Sequence, residues 1–160
     1  MSAENLRRSL HGIQAILITP MKANREVNYD GLAENLAALL RRGVHGFLVS
    51  GTYGEFPSLS IDERAGLFRT VCQAVERRVP VIACIAHSST RAVFRLGEEA
   101  LEAGASALMT TPPFVTEVGE ADIVAHFADL SRRFPAGLVI YNNPRLGVGA
   151  VPGPAAPHRG

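Results

Sequence analysis

Lysine is almost missing from this sequence. Fifteen of the 16 basic residues are arginine, and Lys22 stands alone. A mechanism that needs a lysine amine therefore has one candidate in these 160 residues. Cysteine is nearly as scarce. Cys72 and Cys84 sit inside apolar patterns, form neither a disulfide framework nor a metal spacing, and read as reduced core thiols. There is no CxxC, no HExxH and no P-loop, and the five histidines are scattered with no shared helical face, so no metal and no cofactor is expected. Long hydrophobic runs are absent too. The longest early run, 13–18, has six residues and stops at Thr19-Pro20. A membrane span needs roughly 20 apolar residues, and a secretory signal needs a longer run than this one. The expectation is a cytoplasmic protein with no membrane partner. Neither charge sign dominates. With 16 Lys+Arg against 15 Asp+Glu, the net charge of +1 projects no long-range field, so nucleic acid is not an expected partner.

What is present suits an ordinary folded domain, since 47% of the residues are hydrophobic. Strand and helix patterns alternate along the chain. Ile13–Ile18 reads as a strand. Asn28 caps a helix over Tyr29–Arg42 that turns Leu32, Leu36, Leu39 and Leu40 inward and stops at Gly43. Gly46–Ser50 is a second strand. Ser60-Ile61-Asp62-Glu63 is a capping box opening a helix with Leu67, Phe68, Val71, Cys72 and Val75 inward. Pro80–Ala86 is a third strand. Thr90–Ala103 is a helix with Val93, Leu96, Ala100 and Leu101 inward. Ser106–Thr110 is a fourth strand. Glu120–Phe134 is a helix carrying Ile123, Val124, Phe127 and Leu130, and Gly137–Tyr141 is a fifth strand. Nearly continuous apolar strands separated by helices indicate a parallel sheet. Periodicity leaves two α/β architectures open, an open doubly wound sheet and a (β/α)₈ barrel. The last ten residues carry three Pro and two Gly where the alternation expects another helix, which they cannot form. Residues 1–150 therefore read as the patterned unit. Residues 151–160 read as a Pro/Gly-rich tail, either a frayed terminus or the product of truncation or a shifted reading frame.

Polar and turn residues gather where each strand ends. These are Thr19-Pro20, Ser50–Glu55, His87–Thr90, Thr110-Thr111-Pro112 and Tyr141–Pro144. That edge of a parallel sheet holds the active site in α/β folds. In the loop Gly51-Thr52-Tyr53-Gly54-Glu55, two glycines permit close backbone approach and leave N–H groups that could hold an anion. The same spacing also describes a plain glycine-containing turn with no ligand. Tyr141 at the end of the fifth strand would put a phenol at the rim, either to relay a proton or simply to pack with its hydroxyl in water.

Taken together, these residues resemble the dihydrodipicolinate synthase / N-acetylneuraminate lyase family. The resemblance rests on the opening 13–21, GTYGE (Gly51–Glu55), SIDER (Ser60–Arg64), TPPF (Thr111–Phe114) and YNNP (Tyr141–Pro144), in register from about residue 12 to about residue 149. It implies a (β/α)₈ TIM barrel, of which this chain holds about five strands and four helices. It also implies lyase or aldolase chemistry through a Schiff base between a lysine and pyruvate or another small 2-oxo acid, with no metal and no cofactor. By position, the N–H groups of Thr52 and Tyr53, with Gly51 before them, would hold the substrate carboxylate. Thr52 would belong to the proton relay, and Tyr141 would be the general acid/base. Three positions depart from the synthases. Tyr53 stands where they carry a second threonine, Phe114 where they carry a tyrosine, and Leu146 where they carry an arginine, with Arg145 one position early. These departures favour another aldolase, lyase or hydratase of the family.

The resemblance also locates what is missing. The family's Schiff-base lysine ends strand six. Only 19 residues follow Tyr141, none of them lysine. A βαβ unit takes roughly 30, and a whole barrel about 250. Lys22 falls in the first βα loop and matches no catalytic position. The expectation is a chain inactive by itself that either represents such an enzyme in part or is a non-catalytic carboxylate-binding or non-functional remnant. Family members are homo-oligomers. Open strand edges here imply self-association or aggregation.

Overall fold

A computed structural model of the chain describes residues 3–114 and 118–143. The elements run α1 (Ala3–Ser9), β1 (Gln14–Ile16), α2 (Tyr29–Arg41), β2 (Gly46–Val49), α3 (Ile61–Val75), β3 (Val81–Cys84), α4 (Thr90–Glu102), β4 (Ala107–Thr110), α5 (Glu120–Arg133) and β5 (Gly137–Ile140). Two short 3₁₀ turns, Thr52–Gly54 and Phe56–Ser58, lie between β2 and α3. Local chemistry sets the helix ends. Asn28 Oδ1 accepts from the Gly31 N–H at 3.0 Å. The Ser60 box closes in both directions: Ser60 Oγ accepts from the Glu63 N–H, and the Ser60 N–H donates to Glu63 Oε2 at 2.7 Å. Gly43 (φ 78°) ends α2 in the left-handed region that glycine enters without a Cβ clash.

All five strands are parallel and ordered β1-β2-β3-β4-β5. That order decides between the two architectures that periodicity left open. A doubly wound sheet reverses its strand order at a switch point. This sheet never reverses, and right-handed crossovers between successive neighbours stack the crossover helices α2 to α5 on one face, as in a barrel wall. The main core lies between sheet and helices, where Phe47, Val49, Ala83 and Leu108 meet Leu32, Leu36, Phe68, Leu96 and Leu130. The opposite, inner face carries a smaller cluster: Ile82 and Cys84 of β3, Ala107 and Met109 of β4, Phe56 and the α1 residue Leu6. Leu6 reaches the base of β5, where a Cβ on Gly137 would lie 2.3 Å from its Cδ2.

The elements match the sequence expectation apart from their ends, with strands shorter by one to three residues. Two features differ. The helix α1 was not expected, because a seven-residue charged segment holds too few apolar residues to show a period. Val124 was expected inward and is exposed, while Ile123 and Leu130 carry the buried face of α5. The tail 151–160 lies outside the described residues. Among those described, no helix is long and apolar enough to cross a membrane.

Candidate active site at the carboxyl edge of the sheet

The residues between β2 and α3 form a compact double turn. Two non-glycine residues in the left-handed region bracket its first half, Ser50 (φ 58°) before Gly51 and Glu55 (φ 57°) at the junction with the second half. Such conformations persist only where the surroundings hold them. Within the turn the Gly54 N–H bonds to Gly51 O at 3.0 Å and the Glu55 N–H to Thr52 O at 3.1 Å. The Gly54 carbonyl is fixed from below by the buried Thr19 hydroxyl at 2.7 Å. The first N–H groups of a helical turn have no acceptor within it, so those of Gly51, Thr52 and Tyr53 are left for an outside acceptor. A Cβ on Gly51 would fall 2.4 Å from Leu48 Cδ2, so any larger residue there would have to displace that side chain. The side chains of Thr52 and Tyr53 are both exposed.

Tyr141 continues β5 at the same edge. Its N–H donates to Thr110 O at 2.8 Å. Strand alternation puts it on the face that Val139 shares with the inner cluster. Its hydroxyl accepts from Asn143 Nδ2 at 3.3 Å. Beside it, at the end of β4, Thr111 is buried and its Oγ1 has no hydrogen-bond partner among the described residues. A buried hydroxyl without a partner is costly, and Thr111 adds a donor at this edge. Phe114 packs edge-to-face on Phe56, ring centroids 6.3 Å apart. Pro144, Arg145 and Leu146 lie outside the described residues.

Arg64 was missed from sequence. It is the largest fully buried side chain, 1% exposed. From the first turn of α3 it donates to Ser50 Oγ (Nε, 2.9 Å), Ala86 O (Nη1, 2.9 Å) and Cys84 O (Nη2, 2.7 Å). The Phe56 ring centroid lies 5.2 Å from its guanidinium carbon. Burial pulls its pKa down to about 10, well short of neutralising it at pH 7. A signal for this was present, because Arg64 precedes Leu67, Phe68 and Val71 at helical spacing on the buried stripe of α3.

His87, at the end of β3, accepts the Ser89 N–H on Nδ1 at 2.9 Å. Burial first, then the Arg64 charge, lowers its pKa below the ordinary 6.5. His126 is lowered by burial too, with Asp129 opposing. The stability that a depressed histidine contributes is complete above pH 6.5 and is lost as pH falls below it. The melting temperature should therefore drop between pH 7.5 and 5, and His87→Asn, which keeps an acceptor for Ser89, should lose less. An equal acid-side loss in both proteins would exclude His87 as a contributor.

Lys22 follows Met21 in the loop closed by the antiparallel bridge Met21–Val27, half exposed, with Nζ 3.5 Å from Glu26.

A parallel, singly wound sheet whose strand ends collect a glycine-bracketed turn, a phenol and a buried arginine defines the wall of a (β/α)₈-barrel protein, a fold whose active sites lie at the carboxyl edge. Residues 9–152 match the Dihydrodipicolinate synthetase family, and the chain belongs to it. It is 32% identical over 146 residues to a 4-hydroxy-tetrahydrodipicolinate synthase of Lachnoclostridium phytofermentans, covering 91% of this chain and 50% of that protein. It is 33% identical over 149 residues to the Methanopyrus kandleri protein of the same description, covering 92% and 50%. Among solved structures, a dihydrodipicolinate synthase superposes with TM-score 0.83 at 33% identity, covering 87% of this chain and 48% of that one. A prophage member of the dihydrodipicolinic acid synthase family from E. coli K12, solved in complex with pyruvate, gives TM-score 0.83 at 28% identity, covering 86% and 46%. The chain thus spans about half the length of the relatives it matches.

Proposed function

We propose that this chain carries the 2-oxo acid-binding part of a cytoplasmic Schiff-base lyase or aldolase site, with residues 1–150 as an incomplete barrel and 151–160 outside it. The observation that carries the reading is a shared position: the turn at Gly51–Gly54 and the Tyr141 phenol stand at the carboxyl edge of one parallel sheet. A relative of similar fold was solved with pyruvate. The N–H groups of Thr52 and Tyr53 would hold the substrate carboxylate, with Gly51 giving clearance and the Thr52 hydroxyl adding a donor. Imine formation adds an amine to the keto carbon and then expels water from the carbinolamine. Tyr141 is suited to give that hydroxyl its proton. Thr111 Oγ1 beside it offers a further hydrogen bond.

The amine is the group this chain does not supply. Lys22 is half exposed and paired with Glu26, and a solvated lysine with a pKa of about 10.4 is almost wholly protonated. Incubation with pyruvate and borohydride should therefore leave the 160-residue chain unmodified, whereas an adduct on Lys22 would refute the inactivity. The lack of a placed amine leaves a second reading, a non-catalytic carboxylate-binding or non-functional remnant. Pyruvate titration followed by amide shifts at Gly51–Glu55 separates binding from none.

A further inference from the structure

The site so described meets an anion with backbone N–H groups and a neutral hydroxyl, yet a full positive charge lies one hydrogen bond from Ser50, the residue before Gly51. We propose that Arg64 is a positioning residue for the carboxylate turn: joined to the Ser50–Gly51 corner through Ser50 Oγ, its guanidinium supplies the positive charge that makes the Thr52 and Tyr53 N–H groups prefer an anion over a neutral ligand of the same shape. The inference rests on the carboxylate-binding reading above.

Three observations carry it. First, no carboxylate pairs with Arg64 among the described residues; its acceptors are a hydroxyl and two carbonyls. An unneutralised buried cation is expensive, and an arriving anion offsets that cost. The alternative role, a plain structural clip between β2 and β3, would be served at less cost by a neutral side chain. Second, the bond to Ser50 falls on a residue held at φ 58°, immediately before Gly51. The charge and the turn geometry are therefore coupled through one hydroxyl. Third, the charge is felt along the edge, since Arg64 is a cause of the lowered His87 pKa and opposes the burial-raised pKa of Cys84. Phe56 stacks on the guanidinium, and Thr111, buried with an unpartnered hydroxyl, ends β4 at the same edge. Arg64 itself is too buried to touch a ligand, so it acts through Ser50 and through its field.

The test is an amide-shift titration of the full chain with pyruvate and with pyruvamide, its uncharged amide. In wild type, both should move Thr52 and Tyr53, pyruvate at the lower concentration. Arg64→Met should weaken pyruvate about tenfold, the order of one partly screened charge–charge interaction, and leave pyruvamide within about twofold. Arg64→Lys has three N–H donors for the same three acceptors. It should restore the preference at pH 6 and lose it as pH rises, because a buried ammonium sheds its proton far more readily than a guanidinium. Wild type should stay flat over the same range. Loss of both ligands alike in Arg64→Met, or a flat Arg64→Lys profile, would overturn the electrostatic role. If Arg64→Met does not fold, the Arg64→Lys profile decides alone. Wild-type binding unchanged in the variants removes Arg64 only. No wild-type binding removes the carboxylate reading, and Arg64's role with it.

Discussion

Phe68→Ala should cost about 3–5 kcal/mol of folding stability, the range for deleting a buried phenylalanine ring where the site cannot collapse. Phe68 is fully buried. It lies on α3, the helix packed between α2 and α4 and over β2 and β3. The residues around it, Val71, Leu96 and the outward side chains of β2 and β3, sit on rigid elements that cannot move in to fill the void. Native domains hold only about 5–15 kcal/mol in total, so this one change removes a large share and should be read as a large fall in the urea midpoint. Val124→Ala on α5 is the contrast. Val124 is 64% exposed, and its truncation should stay within about 0.5 kcal/mol. Similar costs at the two positions would mean that α3 is not the centre of the core.

Which parts of this molecule could be read from its residues follows from how far each signal reaches. Alternating apolar strands and capped helices are local, so Ser60 and Asn28 cap as expected. The alternation also fixed five strands and four of the helices. Strand order is not local. Nothing in Gly46–Val49 or Val81–Cys84 says which neighbour it pairs with; the motif resemblance, not periodicity, pointed to a barrel, and the uninterrupted order β1 to β5 agrees with it. The turn at Gly51–Gly54 was legible as a glycine-bracketed loop. Its closure by Thr19 and the left-handed Ser50 bonded to Arg64 were not, because both involve partners distant in sequence. Arg64 shows the limit most clearly. An arginine in a first helical turn reads as solvent-facing, and only the carbonyls ending β3 and the Ser50 hydroxyl make its burial tolerable. Val124 fails in the opposite sense, its spacing right and its partner surface lacking among the described residues.

The second large effect is expected in solution behaviour. Among the described residues β1 pairs only with β2 and β5 only with β4, so each presents an edge to which no described strand is bonded. Beside β1, Ile13, Ile16 and Ile18 are 65%, 47% and 59% exposed, and Ile140 of β5 is 48% exposed. Exposed apolar strand edges recruit other strands. Here the two edges differ, and joining the β5 edge of one copy to the β1 edge of the next continues a parallel sheet. Such a head-to-tail contact either closes into a ring or runs on. Two five-stranded sheets would make ten strands around one barrel, wider than the eight whose side chains fill the interior. Closure therefore leaves an underpacked centre, and open-ended association is favoured. The 160-residue chain should show a mass that rises with concentration in light scattering, together with a broad melt. Ile16→Lys with Ile18→Lys should lower that mass by placing charge on one edge while leaving the α2–α4 core intact. A discrete dimer would mean that the ring closes after all. A monodisperse monomer with a sharp cooperative melt would mean that the edges and inner face are satisfied within one chain, and the expectation of self-association would fail.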